Sequence, residues 1–104
     1  MVDLSGIHFH DCQIRRVVED LGLHSLTMEV SYPTNWEANE FSSRSLVFLD
    51  CFNYQVFELP FDGLSTILDA EVVGQEEDWD KWSKIRLETN VGRRELICRE
   101  VRLV

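Results

Sequence analysis

Positive charge is scarce in this chain. Ten lysines and arginines stand against nineteen aspartates and glutamates, giving a net charge of −9 over 104 residues and a pI near 4.6. Such a field repels phosphate backbones and anionic lipid surfaces, so neither nucleic acid nor membrane is expected as a partner. It draws in basic proteins, and its simplest service is solubility. No apolar run approaches the ~20 residues that span a bilayer. The opening MVDLSGIHFHD lacks the basic and apolar regions of a signal peptide. Cysteines are few and odd in number: Cys12, Cys51 and Cys98, with no CxxC. That argues against a secreted disulfide framework, so buried reduced thiols and a cytoplasmic location are expected. The five glycines are isolated, so there is no glycine-rich loop to cradle a phosphate, and no cofactor is expected.

What the chain does contain is apolar and aromatic material in short pieces. It is 44% hydrophobic and 11% aromatic, with a mean hydropathy of −0.17, values of one folded domain rather than a disordered chain. The run RSLVFLDCFNYQVFELP, residues 44–60, is rich in β-branched and aromatic side chains. It is expected to supply two buried strands at the middle of a sheet. Residues 24–32 show the cleanest alternation. Leu26, Met28, Val30 and Tyr32 interleave with Thr27, Glu29 and Ser31, which predicts a strand with one buried face, stopped by Pro33.

Further strands are expected over residues 66–73, 84–89 and 93–104, with a short edge strand over 2–10. Turn residues separate them, among them Asp62–Gly63 and the Asn90–Val91–Gly92 connection. Residues 13–21 are ambiguous. Ile14, Val17, Val18 and Leu21 stand at i, i+3, i+4 and i+7, a helical stripe that Asp11 and Gly22 can cap. The hairpin signal into residues 24–32 favours a strand instead. The acidic stretch over 76–82 reads as a loop or one short helical turn. Connections this short exclude βαβ crossovers. The expected fold is therefore all-β: an antiparallel sandwich or partly open barrel of about seven strands, with a short helix as the alternative at 13–21 or 76–82.

Several short motifs run in the same order. His10, Asp11, Cys12 and Ile14 open the chain, Phe48, Asp50 and Cys51 follow, then an ILDAEV strand from Ile67 to Val72. Thr89, Asn90, Gly92, Arg94 and Glu95 close it. In this the chain resembles a group of small, uncharacterised bacterial β domains, some of which look like immunity proteins of toxin systems. The resemblance implies that residues 13–19 form a strand; together with the acidic surface and small size, it leads to the expectation of a non-enzymatic role.

Four constellations have chemical potential. His8 and His10 project together if extended, with Asp11 beside them and His24 as a further donor, a spacing suited to a metal. The ordinary role of such an Asp is to accept backbone N–H bonds at a turn. Cys12 has cationic candidates nearby in His10, Arg15 and Arg16, but nothing marks a third orienting group. Asp69 and Glu71 share a strand face, as an acid–base pair or as solvated surface. Trp36, Trp79 and Trp82 fall in polar loops, where aromatics anchor partners, stack on sugars or close the end of a sandwich. Glu76, Glu77, Asp78, Trp79, Asp80 and Trp82, with Trp36, are thus the expected partner-binding surface. The expected function is a protein-binding domain, in its narrower form an immunity-type inhibitor of a basic toxin. The alternative is a carbohydrate- or small-ligand-binding domain using the loop tryptophans. Free sheet edges also allow a homodimer.

Overall fold

The structure, a computed structural model, describes residues 2–35, 37–75 and 81–104. Among these no residue is helical, and eight strands form two antiparallel sheets. They are β1 (Gln13–Asp20), β2 (Ser25–Asn35), β3 (Glu40–Leu49), β4 (Phe52–Glu58), β5 (Ile67–Gly74), β6 (Ser83–Thr89), β7 (Gly92–Cys98) and β8 (Glu100–Leu103). The first sheet has the order β1-β2-β3-β8 and the second β4-β7-β6-β5.

The strand reading of residues 13–21 is the one observed; the helix alternative there is not. β1 pairs with β2 from Gln13↔Ser31 to Asp20↔Ser25. Asp20 Oδ1 accepts the N–H groups of Gly22 and Leu23 and so closes the hairpin turn. The apolar spacing that imitated a helix arises from a register shift between Ile14 and Arg16, which moves Val17 into the pair with buried Met28.

Pro33 does not stop β2. It pairs with Phe41, and the strand runs on to Asn35. A register shift after Pro33 accommodates the missing donor. The connection from β2 to β3 is correspondingly short, because Glu40 already opens β3. Residues 2–10 form no strand. They fold across the end of the core, where Val2 and Phe9 are buried and the Val2 N–H donates to Ser83 Oγ at 3.0 Å.

The strand expected over 93–104 is two. β7 belongs to the second sheet and β8 to the first, with the bend at Arg99. The same passage is made in the other direction between β3 and β4, through Asp50 and Cys51, with Asp50 at φ 51°. β3 pairs with β8 and β4 with β7. The two sheets are thus one bent pair of long strands extended on either side, the way a corner is made in barrel-like packings.

Both sheets bury one face in a shared core. Leu26, Met28, Leu46, Phe48, Ile67, Ile85, Leu87, Leu96 and Cys98 are essentially inaccessible. Each large aliphatic or aromatic side chain buried this way contributes about 1.5–3 kcal/mol. At one end the far edges also meet. Gln13 bridges Thr66, Ile14 N–H donates to Ser65 O and Ile67 N–H to Cys12 O, both at 2.8 Å. No ladder joins β1 to β4 among the described residues, so the barrel is partly open.

Candidate functional site

The sequence-predicted surface falls largely outside the described residues: Trp36, Glu76, Glu77, Asp78, Trp79 and Asp80 all lie there. Trp82 is described. Its indole N–H donates to Asp50 O at 3.0 Å, and the Arg99 guanidinium lies 5.2 Å from its ring centroid. Arg99 in turn meets Asp50 Oδ2 at 3.1 Å. Trp82 therefore packs over the corner where the chain changes sheets, and its ring is engaged within the fold.

His8, His10 and Asp11 do come together before β1, and the ring centroids of the two histidines are 6.4 Å apart. Each is used locally. His10 Nδ1 is 2.7 Å from Leu68 O, and its Nε2 is 3.5 Å from Asp11 Oδ1. The His8 backbone N–H donates to the Tyr32 hydroxyl, and its ring meets the Tyr32 ring edge-on at 6.3 Å. Asp11 takes φ 68°, a conformation that Asp tolerates well in turns. His24 does not join them. It sits beyond the far end of β1, roughly 26 Å of strand away, where its ring stacks on Phe52 at 4.8 Å. No cluster of three metal-ligating side chains occurs among the described residues.

Cys12 is fully buried, and its Sγ donates to His8 O. Burial, then the Asp11 carboxylate, pushes its thiol up to about 12. A thiol so held is not an activated nucleophile. Asp69 and Glu71 are exposed on β5, opposite Glu88 and Arg86, and belong to a solvated face.

The structure reveals a polar cluster that the sequence did not disclose. Arg94 of β7 faces inward and makes a two-pronged pair with Glu58 of β4, Nε to Oε2 and Nη2 to Oε1, both 2.8 Å. Arg94 Nη1 also donates to the Tyr54 hydroxyl at 2.9 Å. Ser65 and Thr89 hydroxyls donate to the two Glu58 oxygens. Both charged side chains are nearly buried. Burial raises the Glu58 pKa, but hydrogen bonds from Arg94, Ser65 and Thr89 outweigh it and hold the carboxyl below its ordinary range. Burial also raises the Tyr54 hydroxyl. With every partner satisfied, the cluster fixes β4 to β7 and anchors the loop that follows β4.

That anchoring matters because β4 is not the buried central strand that its composition predicted. It is the outermost strand of its sheet, and Phe52, Val56 and Phe57 are each nearly half exposed, with Leu59 beyond them at 75%. The other three sheet edges are defended. β1 carries Arg15, Arg16, Glu19 and Asp20 and a bulge. β5 carries Asp69 and Glu71 and two register shifts. β8 has only four residues, two of them charged. β4 has a single charge, Glu58, and that is turned inward onto Arg94. β4 has one register shift, between Phe52 and Gln55, but no outward charge. Charges, bulges and short length are the usual protections of an edge, and β4 has the fewest.

The start of β4 lies beside the end of β1. Glu19, Asp20, Leu21, His24 and Cys51 line one small concavity of about 50 Å³. The Glu19 carboxylate is close enough to raise both the Cys51 thiol and the Tyr54 hydroxyl, after burial. Glu19 and Asp20 have no cationic partner among the described residues, whereas Glu29, Asp50, Glu58 and Glu95 each do. The open seam thus presents a strand whose own exposed side chains carry no charge, with the Arg93 guanidinium over the Phe57 ring at 4.6 Å and two carboxylates at the other end. Comparison with protein-family models found no matching family, and comparison with curated proteins found no match.

Proposed function

We propose that the protein is a protein-binding domain that takes an extended, basic segment of its partner along the free edge of β4. The observation that carries this reading is the contrast among the four edges: three carry outward charges, whereas β4 carries none and exposes Phe52, Val56 and Phe57. Main-chain hydrogen bonds to an edge supply affinity, and side-chain contacts on alternate residues supply specificity. Glu19 and Asp20 at the seam, and the net charge of −9, select for lysine and arginine and speed the encounter. A second copy of the chain is disfavoured by the same charge.

Three free thiols suit a reducing compartment, so the proposed setting is cytoplasmic. No helix among the described residues is long and apolar enough to cross a membrane. The narrower form of the proposal, an immunity-type inhibitor of a basic toxin, rests on the motif resemblance. Occupying an edge is a stoichiometric, non-catalytic act, which suits that role. A carbohydrate reading receives less support, since the Trp82 ring is covered by Arg99 and tethered to Asp50.

The test is selection of short random peptides displayed against the purified protein. Enriched sequences should alternate β-branched residues with lysine or arginine, and should bind more weakly as salt rises. Binding should fall at least about tenfold when Glu19→Lys and Asp20→Lys are combined. Enrichment without basic residues, or equal binding to that variant, would refute the assignment. Self-association of the free protein in sedimentation would show the edge to be a dimer contact instead.

A further inference from the structure

A concavity of about 420 Å³ lies away from the β4 seam, on the four-stranded sheet that begins with β1. Arg15, Arg16, Arg44, Ser43 and Ser45 line it, with Leu64 as an apolar wall. In a chain with a surplus of acid, this is a local reversal of sign. Three guanidiniums face one side-chain carboxylate, Glu29, and Val104 also lines the groove. Acidic groups elsewhere are screened beyond about 8 Å at physiological salt.

The guanidiniums are held but not saturated. Arg16 Nε meets Glu29 at 3.2 Å, Arg15 Nη1 donates to Ser31 Oγ at 3.3 Å, and Arg44 Nε donates to Val104 O at 3.0 Å. Each guanidinium has five N–H donors, so most remain for a ligand. The Arg44 guanidinium also lies 5.5 Å from the Tyr32 ring centroid, which limits its wandering. Ser43 and Ser45 add hydroxyls to a lining whose one carboxylate side chain, Glu29, is already engaged.

We infer that this groove binds the phosphate group of a small phosphomonoester. A phosphomonoester carries about −1.5 to −2 charges and several acceptor oxygens, which suits three guanidiniums and their N–H donors. A monocarboxylate offers one charge and satisfies a single guanidinium fork. The concavity is larger than phosphate alone, and Leu64 provides the contact for an organic substituent. This inference is independent of the strand-capture reading, because it uses other residues on another part of the surface.

The test is titration of the 15N-labelled protein with phenyl phosphate, inorganic phosphate and benzoate at constant ionic strength, read from amide shifts. Phenyl phosphate should give saturable shifts at Arg15, Arg16, Ser43 and Ser45. Inorganic phosphate should shift the same amides with weaker affinity, and benzoate should bind at least about tenfold more weakly than phenyl phosphate. Arg15→Gln with Arg16→Gln should weaken phenyl phosphate at least about tenfold, in a spectrum that otherwise shows the native fold. Arg44→Gln, tested separately, should do the same. Shifts that fail to saturate, that map elsewhere, that benzoate reproduces equally or that survive both sets of substitutions would overturn the inference.

Discussion

Asp50 and Arg99 occupy the two points at which the chain passes between its sheets, and their side chains meet there at 3.1 Å. One joins β3 to β4 and the other joins β7 to β8, so the ion pair closes the corner around which both sheets turn. The pair is about 40% exposed on each side and is worth less than about 1 kcal/mol by itself. Asp50 also holds φ 51°, a left-handed conformation that costs an alanine roughly 1–2 kcal/mol and a glycine very little. Asp50→Ala should therefore destabilise the protein by about 1 kcal/mol more than Asp50→Gly. Urea unfolding of the two variants checks the order; equal midpoints would show that the backbone at the corner is unstrained.

The Glu58–Arg94 pair should behave differently, because it is nearly buried. Glu58→Gln leaves Arg94 without its counter-charge and should cost about 3–5 kcal/mol. Replacing both together, Glu58→Leu with Arg94→Met, should cost much less than the single change, since no buried charge is left alone. Chemical denaturation of the two variants separates a pair that stabilises from a pair that merely cannot be broken singly.

Stability should fall at both ends of the pH scale. Glu58 and Glu95 are held below their ordinary carboxyl range. For each, burial is the largest influence and opposes the shift; hydrogen bonds chiefly from Arg94 outweigh it at Glu58, and Lys84 with Arg93 and Arg86 at Glu95. A carboxyl lowered in the folded state contributes stability above its ordinary value of 4.5, and loses it as pH falls through the lower folded value. The three thiols have the opposite sign. Burial raises Cys12, Cys51 and Cys98 from 9.0 to about 12, so their contribution is complete below pH 9 and fades as pH rises toward 12. Thermal unfolding from pH 3 to 12 should show a plateau near neutrality with losses on both sides. A thiol reagent at pH 8 should react slowly until the protein is unfolded.

Gly92 opens β7 opposite Glu58, at φ 150°. A Cβ there would run into the carbonyl oxygen of Phe57 and press on the Cα of Glu58. Gly92→Ala should push β4 away from β7 and cost about 1–3 kcal/mol. Because it acts at β4, amide shifts should spread along Phe52–Glu58 before the rest of the sheet changes. Shifts confined to the Asn90–Gly92 turn would show that the strand end yields without moving β4.

Much of the fold was legible because alternation in β2 and β6 is strict: Leu26, Met28 and Val30, and Ile85 and Leu87, are all buried as their period demands. The break between β7 and β8 was not, since Cys98 and Val101 are both buried and the bend at Arg99 between them carries neither glycine nor proline. The apolar run through β4 misled for a related reason. Its composition is that of a buried strand, and only the sheet order shows that it stands at an edge. Glu58 is a lone charge in an apolar run before Pro60; its partner is 36 residues away, a separation that no local pattern reveals. Trp82 was legible as an aromatic in a polar setting, but not as the cover of a corner formed by Asp50 and Arg99.

The most direct test of strand capture is amide hydrogen exchange, residue by residue, with and without the tightest peptide from the display selection. In the free protein, those β4 amides that point away from β7 should exchange quickly, and the peptide should slow exchange within Phe52–Glu58 at least about tenfold while β5 and β8 stay unchanged. Protection at another edge, or none within β4 at saturating peptide, would contradict the assignment of β4 as the binding edge.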